Sequence, residues 1–239
     1  MAGLTLSNVT VRYGGVRSLD DVSMAFERGV CGLIGPNGAG KTTTFNVLSG
    51  FTVAATGSAE LDGMDLLRVA PHRRARLGLR RSFQQEQVIR ALSAYDNVRL
   101  VAEHTRSALT SVGRALDYVG LARAERLGSE LTLLERRLVE IARCIVGQPR
   151  LVLLDEPAAG LDPTESERLL KLITGIPDEV GALVLLVDHD MDLVRAACGT
   201  VAVLDFGKLI AFGSTHEVLA SAQVRRAYLG VEDDEESAC

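Results

Sequence analysis

Cysteine is scarce and scattered in this sequence, long apolar runs are absent, and positive charge is not in excess. The four cysteines, Cys31, Cys144, Cys198 and Cys239, form no CxxC pair. That spacing argues against a zinc site or a disulfide framework and fits reduced thiols. No apolar run approaches the roughly 18 residues that suggest a spanning helix. The opening Met1-Ala2-Gly3-Leu4-Thr5-Leu6 has no basic stretch ahead of an apolar one, so no signal peptide is expected, and a partner would have to hold the chain at any membrane. The formal net charge of -5 argues against a nucleic-acid partner, whose binding surfaces are usually basic. Repeats and low-complexity segments are missing too. The acidic run Glu232-Asp233-Asp234-Glu235-Glu236 reads as a solvated tail over 231–239.

What is present is an ordinary globular composition, 47% hydrophobic and 24% charged over 239 residues, enough for one large domain with a subdomain. Leu4, Leu6, Val9 and Val11 predict an edge-like strand with imperfect alternation, and Val22, Met24 and Phe26 a cleaner one. Val30–Ile34 reads as a short buried strand, and Asp62-Gly63 as a hairpin turn. Residues 92–146 look helical, and Pro149 stops that run. Leu151–Leu154 and Leu183–Val187 are continuous apolar strands, with a helix expected over Pro163–Ile173 between them. Apolar strands alternating with helices imply a parallel sheet covered on both faces. Val201–Leu204 and Leu209–Phe212 flank Gly207 as a further hairpin would.

Gly35-Pro36-Asn37-Gly38-Ala39-Gly40-Lys41-Thr42 matches GxxxxGK[ST] without deviation, between a strand and the helix-like run Thr43–Leu48. The glycines let backbone N–H groups turn inward onto phosphate oxygens, and the following helix points its positive end at the anion. In such a loop Lys41 reaches the outer phosphates, the Thr42 hydroxyl ligates Mg²⁺, and Thr43 offers a further phosphate contact. A glycine-rich turn that merely resembles the motif is the competing reading, and the strand–loop–helix order counts against it.

The strand Leu151–Leu154 ends in Asp155-Glu156. Carboxylates cannot lie unpaired inside a doubly covered strand, so they belong at its C-terminal end, where open parallel sheets bind ligands. Asp155 suits the Mg²⁺ shell and Glu156 the general base that polarises water. The second apolar strand ends in Asp188-His189-Asp190, which brings His189 to the same sheet edge, within reach of a γ-phosphate. His72, His104 and His216 have no such setting.

With these residues in view, nearly the whole chain resembles the nucleotide-binding subunits of ATP-binding-cassette transporters. The resemblance implies an α/β P-loop NTPase core with an antiparallel β subdomain and a helical subdomain over about 85–147, in one domain spanning 1–239. It implies ATP hydrolysis coupled to transport. Tyr13 matches the aromatic residue that stacks on adenine, Gln84 the glutamine that senses Mg²⁺ and couples to the membrane partner, Ala159-Gly160-Leu161-Asp162 the D-loop, and His189 the switch histidine. Glu156, His189 and Gln84 are then the catalytic set, with Thr42, Gln84 and Asp155 around the metal. Phrases such as Pro71-His72-Arg73, Asp188-His189-Asp190-Met191-Asp192-Leu193-Val194 and Ala227-Tyr228-Leu229-Gly230 look like the branched-chain amino acid uptake subfamily; related amide and urea importers share them. That likeness implies a second ATP-binding subunit, two membrane permease subunits, an extracytoplasmic solute-binding protein, and a peripheral place on the cytoplasmic face of the cell membrane.

One loop departs from the family. Its signature segment, approximately Leu-Ser-x-Gly-Gln, caps ATP held by the opposite subunit. Here it reads Leu131-Thr132-Leu133-Leu134-Glu135. Leu134 puts a branched side chain where glycine allows close approach, and Glu135 brings a negative charge, worth roughly 4 kcal/mol against another at about 4 Å and an effective dielectric of 20. A heterodimer with one weak site is expected. A tolerant loop, a soluble ATPase outside transport, and a low-turnover regulatory subunit are the alternatives.

Overall fold

The computed structural model describes residues 3–229. Met1, Ala2, Gly230, Cys239 and the acidic tail 231–239 lie outside the described residues. In chain order the strands are β1 (Leu4–Tyr13), β2 (Val16–Phe26), β3 (Val30–Ile34), β4 (Thr56–Leu61), β5 (Met64–Asp65), β6 (Leu79–Arg81), β7 (Leu151–Asp155), β8 (Leu183–Val187), β9 (Thr200–Asp205) and β10 (Lys208–Ser214). The helices are α1 (Lys41–Ser49), α2 (Pro71–Arg74), α3 (Ala94–His104), α4 (Thr110–Val119), α5 (Leu133–Ile145), α6 (Pro163–Val180), α7 (Met191–Ala197), α8 (Thr215–Ala220) and α9 (Ala222–Leu229).

Two sheets face each other. One is antiparallel in the order β2-β1-β4-β5, and the other runs β10-β9-β3-β8-β7-β6. In the second sheet only β10 is antiparallel to its neighbour. Every residue of β3, β7 and β8 is buried, and the pleat divides them. Leu151, Leu153, Leu183 and Leu185 pack with the antiparallel sheet and α1, while Val152, Leu154, Val184 and Leu186 pack with helices α3 to α6. Burying each such side chain stabilises the fold by about 1.5–3 kcal/mol.

Three expectations need correction. β1 is not an edge, since it pairs with β2 on one side and β4 on the other. Its imperfect alternation is a bulge: register slips between Leu6 and Val9, where Asn8 takes φ 50°, and this keeps both apolar side chains inward. The helix starting at Pro163 runs to Val180 rather than stopping at Ile173, passing through Pro177. A proline that late removes one helical N–H, and burial of Ile173 and Ile176 against the sheet offsets it. The stretch 92–146 is helical only in three pieces, α3, α4 and α5. Ser93, just ahead of α3, and Leu127, in the connection between α4 and α5, form an isolated antiparallel bridge. The Asp62-Gly63 turn forms between β4 and β5 with both residues at positive φ, 52° and 79°, as a two-residue hairpin requires.

Candidate active site

β8 lies between β3 and β7, so the C-terminal ends of three parallel strands arrive side by side. They deliver the phosphate loop, Asp155-Glu156 and Asp188-His189 to one edge. Ser18, Asn37 to Thr43, Gln84, Asp155, Glu156 and Val187 line a cleft there of about 270 Å³. Gly35 and Pro36 border it through their carbonyls, which accept from Lys41 Nζ at 2.5 and 2.9 Å. Burial pulls the Lys41 ammonium below the ordinary lysine range, and Glu156 and Asp155 partly offset that.

The loop enters α1 through Gly40, which sits at φ 109° as the N-cap. A Cβ there would lie 2.7 Å from the Ser18 carbonyl oxygen and 2.8 Å from Leu19 Cδ2. Gly40→Ala is therefore expected to combine backbone strain of about 1–3 kcal/mol with a displaced loop, and so to weaken ATP binding at least tenfold while the chain still folds. Isothermal titration beside a melting curve checks this; unchanged affinity would show that the loop shifts freely. Thr43 is anchored by Ser18, with the two hydroxyl oxygens 2.6 Å apart.

Asp155 ends β7 nearly buried, and its N–H donates to Ser82 Oγ at 3.1 Å. Burial pushes its carboxyl up, the Arg81 guanidinium 3.6 Å away pulls it back, and Glu156 adds to the rise. The Arg81 side chain is itself buried. It donates to Asn46 Oδ1 at 2.8 Å and Ser49 Oγ at 3.2 Å, and its guanidinium carbon stands 4.8 Å from the Phe83 ring centroid. Glu156 adopts φ 46°, a left-handed conformation costly for a side chain with a Cβ. Its N–H is fixed to the Val187 carbonyl at 2.8 Å. Its carboxylate then accepts from Gln84 Nε2 at 3.1 Å and stands 3.8 Å from His189 Nδ1. Gln84 and His189 thus converge on the Glu156 carboxylate, and His189 Nδ1 is equally 3.8 Å from Asp188 Oδ1.

Tyr13 is not among the cleft residues. It is half-exposed, and its hydroxyl lies 2.8 Å from Thr52 Oγ1, just beyond the C-terminal end of α1. The segment 131–135 does not line the cleft either. Thr132 caps α5, accepting from the Glu135 N–H at 3.2 Å, while Glu135 Oε2 accepts from the Thr132 N–H at 2.8 Å. Glu135 Oε1 accepts from Arg126 Nη1 at 2.6 Å. Burial alone would raise this carboxyl, but the Thr132 N–H and Arg126 outweigh it and hold it below the ordinary range. This revises the expected repulsion: the Glu135 charge is already paired and turned into its own helix cap. Leu134 is half-buried and packed on the core rather than standing free. Leu131 is buried. Leu133 meets segment 159–162, with its Cδ2 3.3 Å from where a Gly160 Cβ would stand. Arg137 Nη2 donates to the Ala159 carbonyl at 3.3 Å. Leu161 packs on the core, and Asp162 caps α6 by accepting from the Glu165 N–H at 2.9 Å. Ser18, Arg81 and Ser82 are cleft or support residues that sequence reasoning missed. Only the last two carried a signal, as neighbours of Gln84 on the same strand end.

A glycine loop between strand and helix, with a carboxylate pair at the end of a second parallel strand, defines a P-loop nucleoside triphosphatase. The chain belongs to the ABC transporter family, whose sequence profile matches residues 19–159, and it is the ATPase subunit of a transporter. It is 35% identical to BraF, the high-affinity branched-chain amino acid transport ATP-binding protein of Pseudomonas aeruginosa, over 95% of this chain and 97% of the relative. It is 38% identical to LptB, the lipopolysaccharide export system ATP-binding protein of Escherichia coli K12, over 96% and 98%. The ADP conformation of MJ1267, an ATP-binding cassette of an ABC transporter, superposes with a TM-score of 0.85 at 25% identity, covering 97% of this chain and all of that one. The dimeric post-hydrolysis cassette MJ0796, bound to ADP and Pi, shares the fold with a TM-score of 0.77 at 23% identity, over 89% and 98%.

Proposed function

We propose that this subunit hydrolyses ATP to drive import of branched-chain or related amino acids, as one half of a heterodimer of ATP-binding subunits. The convergence of Gln84 and His189 on Glu156 beside the phosphate loop carries the hydrolytic part. Glu156 acts as the base, Lys41 and the loop N–H groups hold the phosphates, and His189 stands beside the γ-phosphate. Thr42, Asp155 and Gln84 form an all-oxygen donor set with one carboxylate, which fits Mg²⁺ completed by phosphate oxygens and water. The ion would neutralise charge on the phosphates. Tyr13 is assigned to the adenine.

No helix among the described residues is long and apolar enough to cross a membrane, so permease subunits hold the complex at the cytoplasmic face in this reading, and a solute-binding protein acts through them. Phe51 and Val53 are mostly exposed, and Phe51 packs edge-on against Phe83, next to Gln84. That apolar rim suits a permease helix that reports to Glu156, with segment 85–147 moving as the helical subdomain. The phrases shared with the amino acid subfamily favour import. The 38% identity to an export ATPase favours a second reading, in which the same cassette drives export.

The heterodimer rests on Leu134. With Glu135 neutralised by Arg126, the missing glycine is the remaining reason for the loop to cap a partner's ATP poorly. The purified subunit alone is expected to turn over slowly and without cooperativity, and at least tenfold faster with a second ATP-binding subunit. Brisk cooperative turnover by the subunit alone would refute the pairing. Co-purification with permeases tests the transport assignment separately.

A further inference from the structure

We infer that this chain carries a second anion site, built from arginine at the opposite end of the parallel strands from the ATP cleft, and that it takes a phosphate-bearing ligand. Arg76 precedes β6, Arg80 lies within it, and Arg150 immediately precedes β7. Arg106 follows α3 and Arg114 lies in the first turns of α4. These five arginines line one hollow of about 440 Å³, in a chain whose net charge is -5.

The cations are poorly compensated. Arg150 has Asp62 at 3.7 Å, and Arg76 donates to the His104 carbonyl at 3.2 Å. Among the described residues, neither Arg106 nor Arg114 has a carboxylate within ion-pair distance. Arg80 is 6% exposed; among the described residues its guanidinium bonds only the carbonyls of Ala75 and Leu79, and its Nε has no partner. Burial pulls it below the ordinary arginine range with no carboxylate to offset the cost. A buried guanidinium without a counter-ion is expensive, and an anion in the hollow would relieve it. Planar, multi-donor guanidinium groups also match phosphate geometry.

Two backbone features agree. α4 begins at the hollow with no side-chain cap and no acidic residue in its first turn, leaving its positive end unneutralised. Arg106 holds φ 57° just past the end of α3, a position where glycine is the usual choice. An arginine kept there at a conformational cost points to its side chain rather than to the turn.

The test uses the full chain with its nucleotide cleft saturated with ADP. Pyrophosphate is titrated calorimetrically, and flotation is measured with phosphatidylglycerol against phosphatidylcholine vesicles. Pyrophosphate binding identifies a soluble phosphate compound, and selective flotation with phosphatidylglycerol identifies a lipid headgroup. In either case Arg106→Gly with Arg114→Ala should lower the affinity at least tenfold. The melting temperature should not fall, because glycine suits φ 57°. Arg73→Ala, which removes an exposed charge outside the hollow, should leave binding unchanged. Absence of binding to both probes, binding indifferent to the double variant, or an equal loss in Arg73→Ala would overturn the proposal.

Discussion

Glu156→Gln is expected to slow ATP turnover by about 10²–10⁴-fold, the usual contribution of a general base, while ATP affinity stays within a few-fold of the parent. The substitution is nearly isosteric. Gln84 Nε2 now donates to Glu156 Oε2, and a glutamine carbonyl can accept that bond. The backbone is held at φ 46° by the Val187 carbonyl whichever residue is present, so the strain is the same in both chains. What disappears is the proton acceptor, together with the negative charge 3.8 Å from His189 Nδ1. Steady-state phosphate release beside nucleotide titration separates the two effects. A loss of less than tenfold would move the base elsewhere, with Asp188 or His189 the next candidates by position. A parallel loss of ATP affinity would mean that the carboxylate positions phosphate rather than water.

How far such a site can be read before folding depends on whether its parts are neighbours in sequence. The phosphate loop is eight consecutive residues between a strand and a helix, so its geometry is local and legible. Asp155-Glu156 was legible because a doubly buried strand has only one place for carboxylates. The meeting of Gln84, Glu156 and His189 required the strand order, and no periodicity reveals that β8 lies between β3 and β7. Glu135 shows a different failure. Thr132-Leu133-Leu134-Glu135 is a capping-box pattern, which is local information, yet family likeness drew attention to the charge instead of to the cap. The extent of α6 was hidden for a third reason: Pro177 reads as a stop, and only burial of Ile176 against the sheet shows why the helix continues.

Apart from its place beside Gln84, Arg81 was hidden for the same reason that it matters. An arginine at a strand end reads as surface charge, and nothing local announces that Asn46, Ser49 and three phenylalanines enclose it. Its guanidinium carbon lies 4.8, 5.5 and 5.8 Å from the ring centroids of Phe83, Phe45 and Phe51, and its partner is Asp155, at 6% and 11% side-chain exposure for the pair. Removing one member of a buried pair leaves an uncompensated charge and typically costs about 3–5 kcal/mol. Arg81→Met is expected to lose that much, a fall in melting temperature of roughly 6–20 °C at this chain length. Burial already pushes the Asp155 carboxyl up while Arg81 pulls it back; without Arg81 it should rise further, so part of the loss should return as pH is lowered and the acid protonates. Arg81→Met with Asp155→Asn should be more stable than Arg81→Met alone, because no charge is then stranded, although it should not hydrolyse ATP. Urea unfolding of both single variants and the double completes a cycle whose coupling energy measures the pair. Additive losses would show that Arg81 acts through the aromatic rings and the α1 contacts alone. A large coupling would show that the carboxylate at the end of β7 is held by a cation at the end of β6 that also bonds the last turns of α1, which joins the helix after the phosphate loop to the strand that leads into Gln84.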